Sequence, residues 1–255
     1  MRRRSLISGS VWFAGSLLVA AALVLAWQLI SDAGLASPIF FPAPSRIWRA
    51  LVDGFTNGNM AAELGATAAR VFGGWILASA IGISLGASIG ISRAARIYIA
   101  PSLEVLRPLP VSALVPIFIG FLGYTEEMVL SVIAFGALWP CLLGTIHGFS
   151  TVEPRLYEVA RAVKLSRLAT VMKIALPSAL PDIMAGLKVG LTVSLILVVV
   201  GEMLGSREGL GYSILLAQRS FHSASVFAGI FLLGIIGYLS AAALDFAERR
   251  LIYWR

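Results

Sequence analysis

Four stretches of this chain, Val11–Ile30, Val71–Ile91, Met128–Ile146 and Ala224–Leu244, contain no Asp, Glu, Lys or Arg. Each has the length, about 20 apolar residues, that a helix needs to cross the hydrocarbon core of a bilayer. Only 13% of the 255 residues are charged, where a water-soluble domain carries about 25%. Most of the surface therefore faces lipid. In lipid only helices and closed barrels satisfy their own backbone, and runs of this length specify helices. The fold class is all-α: a polytopic membrane helix bundle.

Two weaker segments complete the set. Pro108–Leu122 is uncharged but short and holds Pro108, Pro110 and Pro116, and Ile183–Gly205 contains Lys188 and Glu202. The count is six crossings in a single transmembrane domain over residues 1–255. The first run follows Arg2, Arg3 and Arg4 but is longer than a signal-peptide core and holds Trp12 and Trp27, so a retained anchor is expected.

The basic residues set the orientation. With six crossings, fifteen of the 20 Lys and Arg fall on one side, and Arg46, Arg49, Arg70, Arg207 and Arg219 fall on the other. Positive residues stay cytoplasmic, which places both termini inside. The net charge of +7 is spread over short connections and forms no aromatic-interleaved patch, which excludes a nucleic-acid partner. Cys141 is the one cysteine, and no Cys or His pair has metal-ligand spacing. His147 reads as an interfacial residue.

Small residues recur every four positions at Ala78, Gly82, Gly86 and Gly90, and again at Gly186, Gly190 and Ser194. Such faces let helix backbones approach closely in lipid. They serve either packing within this bundle or pairing with a second copy.

The connection between crossings four and five, about residues 150–182, is cytoplasmic by this count. Pro154 suits a first helical turn, and Leu156, Val159, Ala160 and Val163 then recur at three- and four-residue spacing among Arg155, Glu158, Arg161 and Lys164. That pattern predicts a short amphipathic helix outside the membrane. Pro177 and Pro181 are expected to interrupt helical continuation before the fifth crossing.

Glu158-Val159-Ala160, then Lys164, then nine residues before Ile174-x-Leu176-Pro177 resembles the cytoplasmic signature of the permease subunits of ATP-binding-cassette importers. That signature reads Glu-Ala-Ala, three residues, Gly, nine residues, Ile-x-Leu-Pro. Val159 stands for the first alanine and Lys164 for the glycine, and a turn requiring positive φ would resist lysine. Phe41-Pro42-Ala43-Pro44-Ser45, Leu106-Arg107-Pro108-Leu109-Pro110, and Gly201-Glu202-Met203 followed by Gly209-Leu210-Gly211 are similar to the nitrate, sulfonate and taurine branch. The resemblance covers nearly the whole chain after about residue 38.

The resemblance implies a coupling helix that docks in a groove of a separate ATPase, with Glu158 holding the register and Ala160 facing the groove. It implies two ATPase subunits, a second copy of this chain, an extracytoplasmic binding protein and surrounding lipid, in the bacterial inner membrane. The implied cargo is a small anion such as a sulfonate, taurine or nitrate. The chain lacks a Gly-x-x-x-x-Gly-Lys-Ser/Thr loop, so ATP and Mg are expected in the partner, with no cofactor here.

For the translocation path the candidates are Arg107, Pro108, Pro110, Ser112 and Pro116 of the third segment, with Ser131, Thr192, Ser194 and Glu202. Prolines leave carbonyls unpaired, and such backbone is tolerated at membrane depth only when buried in protein or facing water. A gradient-driven transporter or channel is the alternative, but crossings one, two, four and six offer it no ionisable relay. A membrane-embedded enzyme is disfavoured by the absence of nucleophile, His-Glu-x-x-His and paired-aspartate motifs.

Overall fold

The computed structural model describes residues 2–35, 37 and 39–253, and among them every regular element is helical. In chain order these are α1 (Arg2–Asp32), α2 (Pro44–Thr56), α3 (Met60–Ile91), α4 (Arg93–Leu106), α5 (Val111–Leu122), α6 (Glu126–Ser150) and α7 (Pro154–Ala162). They continue with α8 (Arg167–Thr170), a π turn (Val171–Ala175), α9 (Leu176–Gly205), α10 (Leu210–Arg219) and α11 (Ser223–Leu251). The chain groups into two compact units, Met1–Ala61 with Ser213–Phe231 and Ala62–Tyr212 with Leu232–Arg255.

In the first unit the Phe41-Pro42-Ala43-Pro44-Ser45 corner folds back onto α1. The Trp27 ring lies 5.3 Å from that of Phe41, and Ser31 Oγ donates to Phe41 O at 3.1 Å. Gln28 meets Ser45 twice, accepting from its N–H at 3.1 Å and donating to its Oγ at 3.1 Å. Pro44 then opens α2 at a position where its missing N–H costs nothing.

The second unit is built on α6, whose core positions Met128, Val129, Val132, Ile133, Ala137, Cys141 and Leu142 are all fully buried. The small-residue faces decide its packing. A Cβ on Gly82, Gly86 or Gly90 would lie 2.9 Å from Cys141 Cβ, 2.6 Å from Thr145 Cβ and 2.6 Å from Phe149 Cβ. Both members of each pair rise together along the chain, so α3 and α6 run parallel. On the other side of α6 the order reverses: Gly148 faces Ala179, Gly144 faces Gly186, and Gly201 faces Val129. There α9 runs antiparallel. The small-residue faces thus pack this bundle, as glycine does wherever two helix backbones meet in lipid.

Parallel α3 and α6 carry a topological consequence. Gly90, near the end of α3, meets Phe149, while Arg70 near its start pairs with Glu126 at the start of α6. From Arg70 to Gly90 is roughly 30 Å at 1.5 Å per residue. The segment between α3 and α6 must return over that whole height, so a third passage exists. It is not the single expected helix. Among the described residues five helical stretches are long and apolar enough to span a membrane alone, Ala14–Asp32, Met60–Ile91, Glu126–Ser150, Arg167–Gly205 and Ser223–Leu251, and α5 at 12 residues is not. The return is shared by α4 and α5, broken at Arg107–Pro110. Arg107 still has helical backbone, but Pro108 and Pro110 lack the N–H groups that would carry the helix on, and Pro110 itself is extended at ψ 108°.

The expectation for Pro177 and Pro181 needs correction. Helix continues unbroken from Arg167 to Gly205. The π turn absorbs the strain: Leu176 N–H donates five residues back to Val171 O, and this widens the turn just where the Pro177 ring would press on the carbonyl four residues before it.

Candidate functional site

The helix α7 forms where the amphipathic pattern places it, with Pro154 in its first turn. It ends in a Schellman motif: Leu165 N–H donates to Ala160 O at 2.9 Å and Lys164 N–H to Arg161 O at 3.0 Å. Lys164 occupies the left-handed position at φ 53°. The corner therefore keeps the backbone that glycine serves in the family signature, and lysine bears its strain. Ser166 follows as the cap of α8, its Oγ accepting from Ala169 N–H at 3.2 Å.

Burial sorts the faces of α7 differently from the expectation. Ala160 is only 2% exposed and lies against its own chain. Tyr157 shares this inner side and packs on the cluster of Phe149, Val152, Ala175, Ala179 and Ile183, with Ile174 and Leu176 at its edge. Burial pushes the Tyr157 hydroxyl above its ordinary range, and the Arg96 charge draws it partly back. The open side carries Leu156, Val159 and Val163, with Leu168 and Met172 following, all exposed. Glu158, Arg155, Arg161 and Lys164 flank this apolar stripe and are also exposed.

A prediction follows at the corner. Lys164→Gly should raise stability by about 1 kcal/mol, because a non-glycine residue in the left-handed region is strained by about that amount. Thermal unfolding of the detergent-solubilised protein checks it, and a lowered midpoint would contradict this account of the turn.

The candidate path residues do not form one group. Arg107, Pro108, Pro110, Ser112, Pro116 and Thr192 are exposed, and Ser131 is half-buried. Ser194 is fully enclosed, and its Oγ donates back to Gly190 O at 2.9 Å. Glu202 is also fully enclosed, at 0% exposure.

Glu202 is the centre of a buried polar network at the end of the bundle away from α7. Its carboxylate accepts from Thr67 Oγ at 2.9 Å, from Arg70 Nη1 at 2.9 Å and from Gly211 N–H at 2.8 Å. Thr67 Oγ in turn accepts from Leu210 N–H at 2.8 Å, and Arg70 Nη1 also donates to Glu208 O at 3.0 Å. Glu126 lies 3.8 Å from Arg70 Nε. The spacing Gly201-Glu202 with Gly209-Leu210-Gly211 now has a physical meaning. Gly209 turns at φ 105°, and a Cβ on Gly211 would sit 2.9 Å from Glu202 Cβ. Only glycine lets this backbone close over the carboxylate. Thr67 and Arg70 escape a sequence reading, since an arginine just ahead of an apolar run counts as a loop charge. A second cluster it misses joins Lys188 of α9 to Asp245 and Glu248 of α11.

Residues 78–253 match the family described as binding-protein-dependent transport system inner membrane component. The chain belongs to this family. It is thus the permease of an importer, and the matched region contains α7, its Schellman corner and Glu202. The permease is 32% identical over 244 residues to the putative aliphatic sulfonates transport permease protein SsuC of Bacillus subtilis, covering 96% of this chain and 88% of that one. It is 30% identical to the nitrate import permease protein NrtB of Leptolyngbya laminosa, covering 89% and 83%. With the taurine transport system permease protein TauC of Escherichia coli it shares 28%, covering 92% and 87%. A solved chain from inward-facing conformations of the MetNI methionine ABC transporter shares the permease's fold at TM-score 0.64 and 21% identity, covering 75% of this chain and 95% of that one.

Proposed function

We propose that this permease imports a small oxyanion, of the sulfonate, taurine or nitrate kind, and is driven by two separate ATPase subunits that dock on α7. One observation carries the coupling part: the exposed Leu156–Val159–Val163 stripe, ringed by charge, on a short helix between two long membrane helices. An apolar stripe so framed is suited to a protein groove, and its rigid tie to α6 and α9 passes a docking movement into the bundle. Val159, not Ala160, then meets the ATPase, and Glu158 borders the contact. ATP and Mg belong to the partner, and the permease performs no chemistry of its own.

The rest of the assembly follows the same reading. A second copy of the chain completes the path, an extracytoplasmic protein delivers the anion, and residues 1–255 act as one permease domain. Relatives named for sulfonates, nitrate and taurine support the cargo class. Uptake by the assembled complex in proteoliposomes, offered alkanesulfonates, taurine and nitrate, tests it. ATP-dependent accumulation of one of these anions is expected; accumulation driven by an ion gradient without the ATPase would overturn the reading.

Orientation is part of the proposal and rests on the uneven distribution of Lys and Arg. Cysteines placed at Asn57 and Arg167 in a Cys141→Ala background should react from opposite faces of the membrane, Arg167 only from the cytoplasm. An impermeant thiol reagent applied to intact cells should therefore label the first and spare the second. Labelling of both would refute this topology.

A further inference from the structure

The network around Glu202 does more than fill space. It joins three pieces of backbone by hydrogen bonds, the start of α3 through Thr67 and Arg70, the end of α9 through Glu202 and the segment Glu208–Gly211, and it reaches a fourth, the start of α6, through the looser 3.8 Å ion pair of Arg70 with exposed Glu126. Two of these, α6 and α9, are the helices that α7 connects at the opposite end. Between the ends they meet at Gly144, Gly148, Gly186 and Gly190, where almost nothing separates the backbones. Helices in such contact slide little, because their packing has no slack to absorb displacement.

We propose that Thr67, Arg70 and Glu202 are positioning residues of the transport cycle. They hold the segment Glu208–Gly211 on the ends of α3, α6 and α9, so that a movement begun at α7 is delivered there. The inference rests on the coupling reading given above. Thr67 is the most informative member. Its hydroxyl donates to the carboxylate and accepts from Leu210 N–H, so it alone bonds both Glu202 and the backbone of the held segment while carrying no charge. Thr67→Val keeps the shape and breaks both bonds, leaving a buried amide without a partner. Thr67→Ser keeps both.

The experiment is hydrogen–deuterium exchange on the permease assembled with its ATPase, nucleotide-free and trapped with ATP and vanadate. In the wild type, trapping is expected to change exchange in α7 and also in residues 206–212. In Thr67→Val, α7 should respond as before, while residues 206–212 exchange about tenfold faster in both states and no longer respond. Thr67→Ser should behave as the wild type. Wild-type protection and response of residues 206–212 in Thr67→Val, with α7 responding normally, would overturn this inference alone. Equal loss in Thr67→Ser would also overturn it, since packing rather than hydrogen bonding would then be responsible. A wild-type α7 that ignores nucleotide would take down the coupling reading and this inference with it.

Discussion

Arg70→Met should lower the stability of the permease by about 3–5 kcal/mol, the usual cost of removing one partner from a buried ion pair. Arg70 is nearly buried and Glu202 fully so, which denies the stranded carboxylate any access to water. Thr67 and Gly211 N–H remain as donors but carry no compensating charge. For a chain of this size the loss amounts to about 10 °C in unfolding midpoint, measured on the solubilised protein. Arg70→Met combined with Glu202→Met should recover part of the loss, because the lone charge disappears, though Gly211 N–H then lacks its acceptor. The cluster of Lys188 with Asp245 and Glu248 makes a useful contrast. These side chains keep 34%, 50% and 27% of their surface exposed, so water still reaches the two carboxylates left by Lys188→Met, and the cost should fall clearly below that of Arg70→Met. Equal effects at Arg70 and Lys188 would contradict the ranking by burial.

The same comparison shows what a sequence of this kind discloses. Long uncharged runs declare membrane helices outright, because they far exceed the about 9–11 residues of a barrel strand and a helix satisfies its own backbone in lipid. The glycine faces were legible as contact surfaces, and they pack α3, α6 and α9 as that reading allows. The existence and place of α7 were legible from the spacing of Leu156, Val159, Ala160 and Val163. Its facing was not. Val159 and Ala160 are neighbours near one edge of the helix, and periodicity does not say which of them the chain covers. Burial settles that, with Ala160 inward and Val159 outward.

Three details depend on local physics that residue types leave open. Lysine at the glycine position leaves the corner undetermined, and two backbone hydrogen bonds hold Lys164 in the left-handed region. Pro177 suggested a break, yet a π turn accommodates its ring and the helix runs on. The third passage suggested one weak helix, yet Pro108 and Pro110 divide it between α4 and α5. Each outcome depends on backbone hydrogen bonding that residue types alone do not determine. Glu202 was legible as an ionisable residue inside a crossing, but its partners lie far away in sequence, at Thr67 and Arg70, and only the fold brings them together.

The proposed coupling contact is α7, where a separate ATPase would drive this permease. The direct measurement is ATP-dependent anion uptake and ATP hydrolysis by the reconstituted complex carrying Val159→Glu. Val159 is 56% exposed, so the substitution leaves the chain's own packing intact, and amounts in the membrane should match the wild type. A carboxylate in an apolar contact without a partner is penalised by about 1–3 kcal/mol, which weakens docking by about fivefold to a hundredfold. Uptake should fall by up to that factor when the ATPase is limiting, with hydrolysis no longer tied to transport. Wild-type uptake and hydrolysis by Val159→Glu, at equal amounts of permease in the membrane and of added ATPase, would contradict the assignment of α7 as the coupling contact.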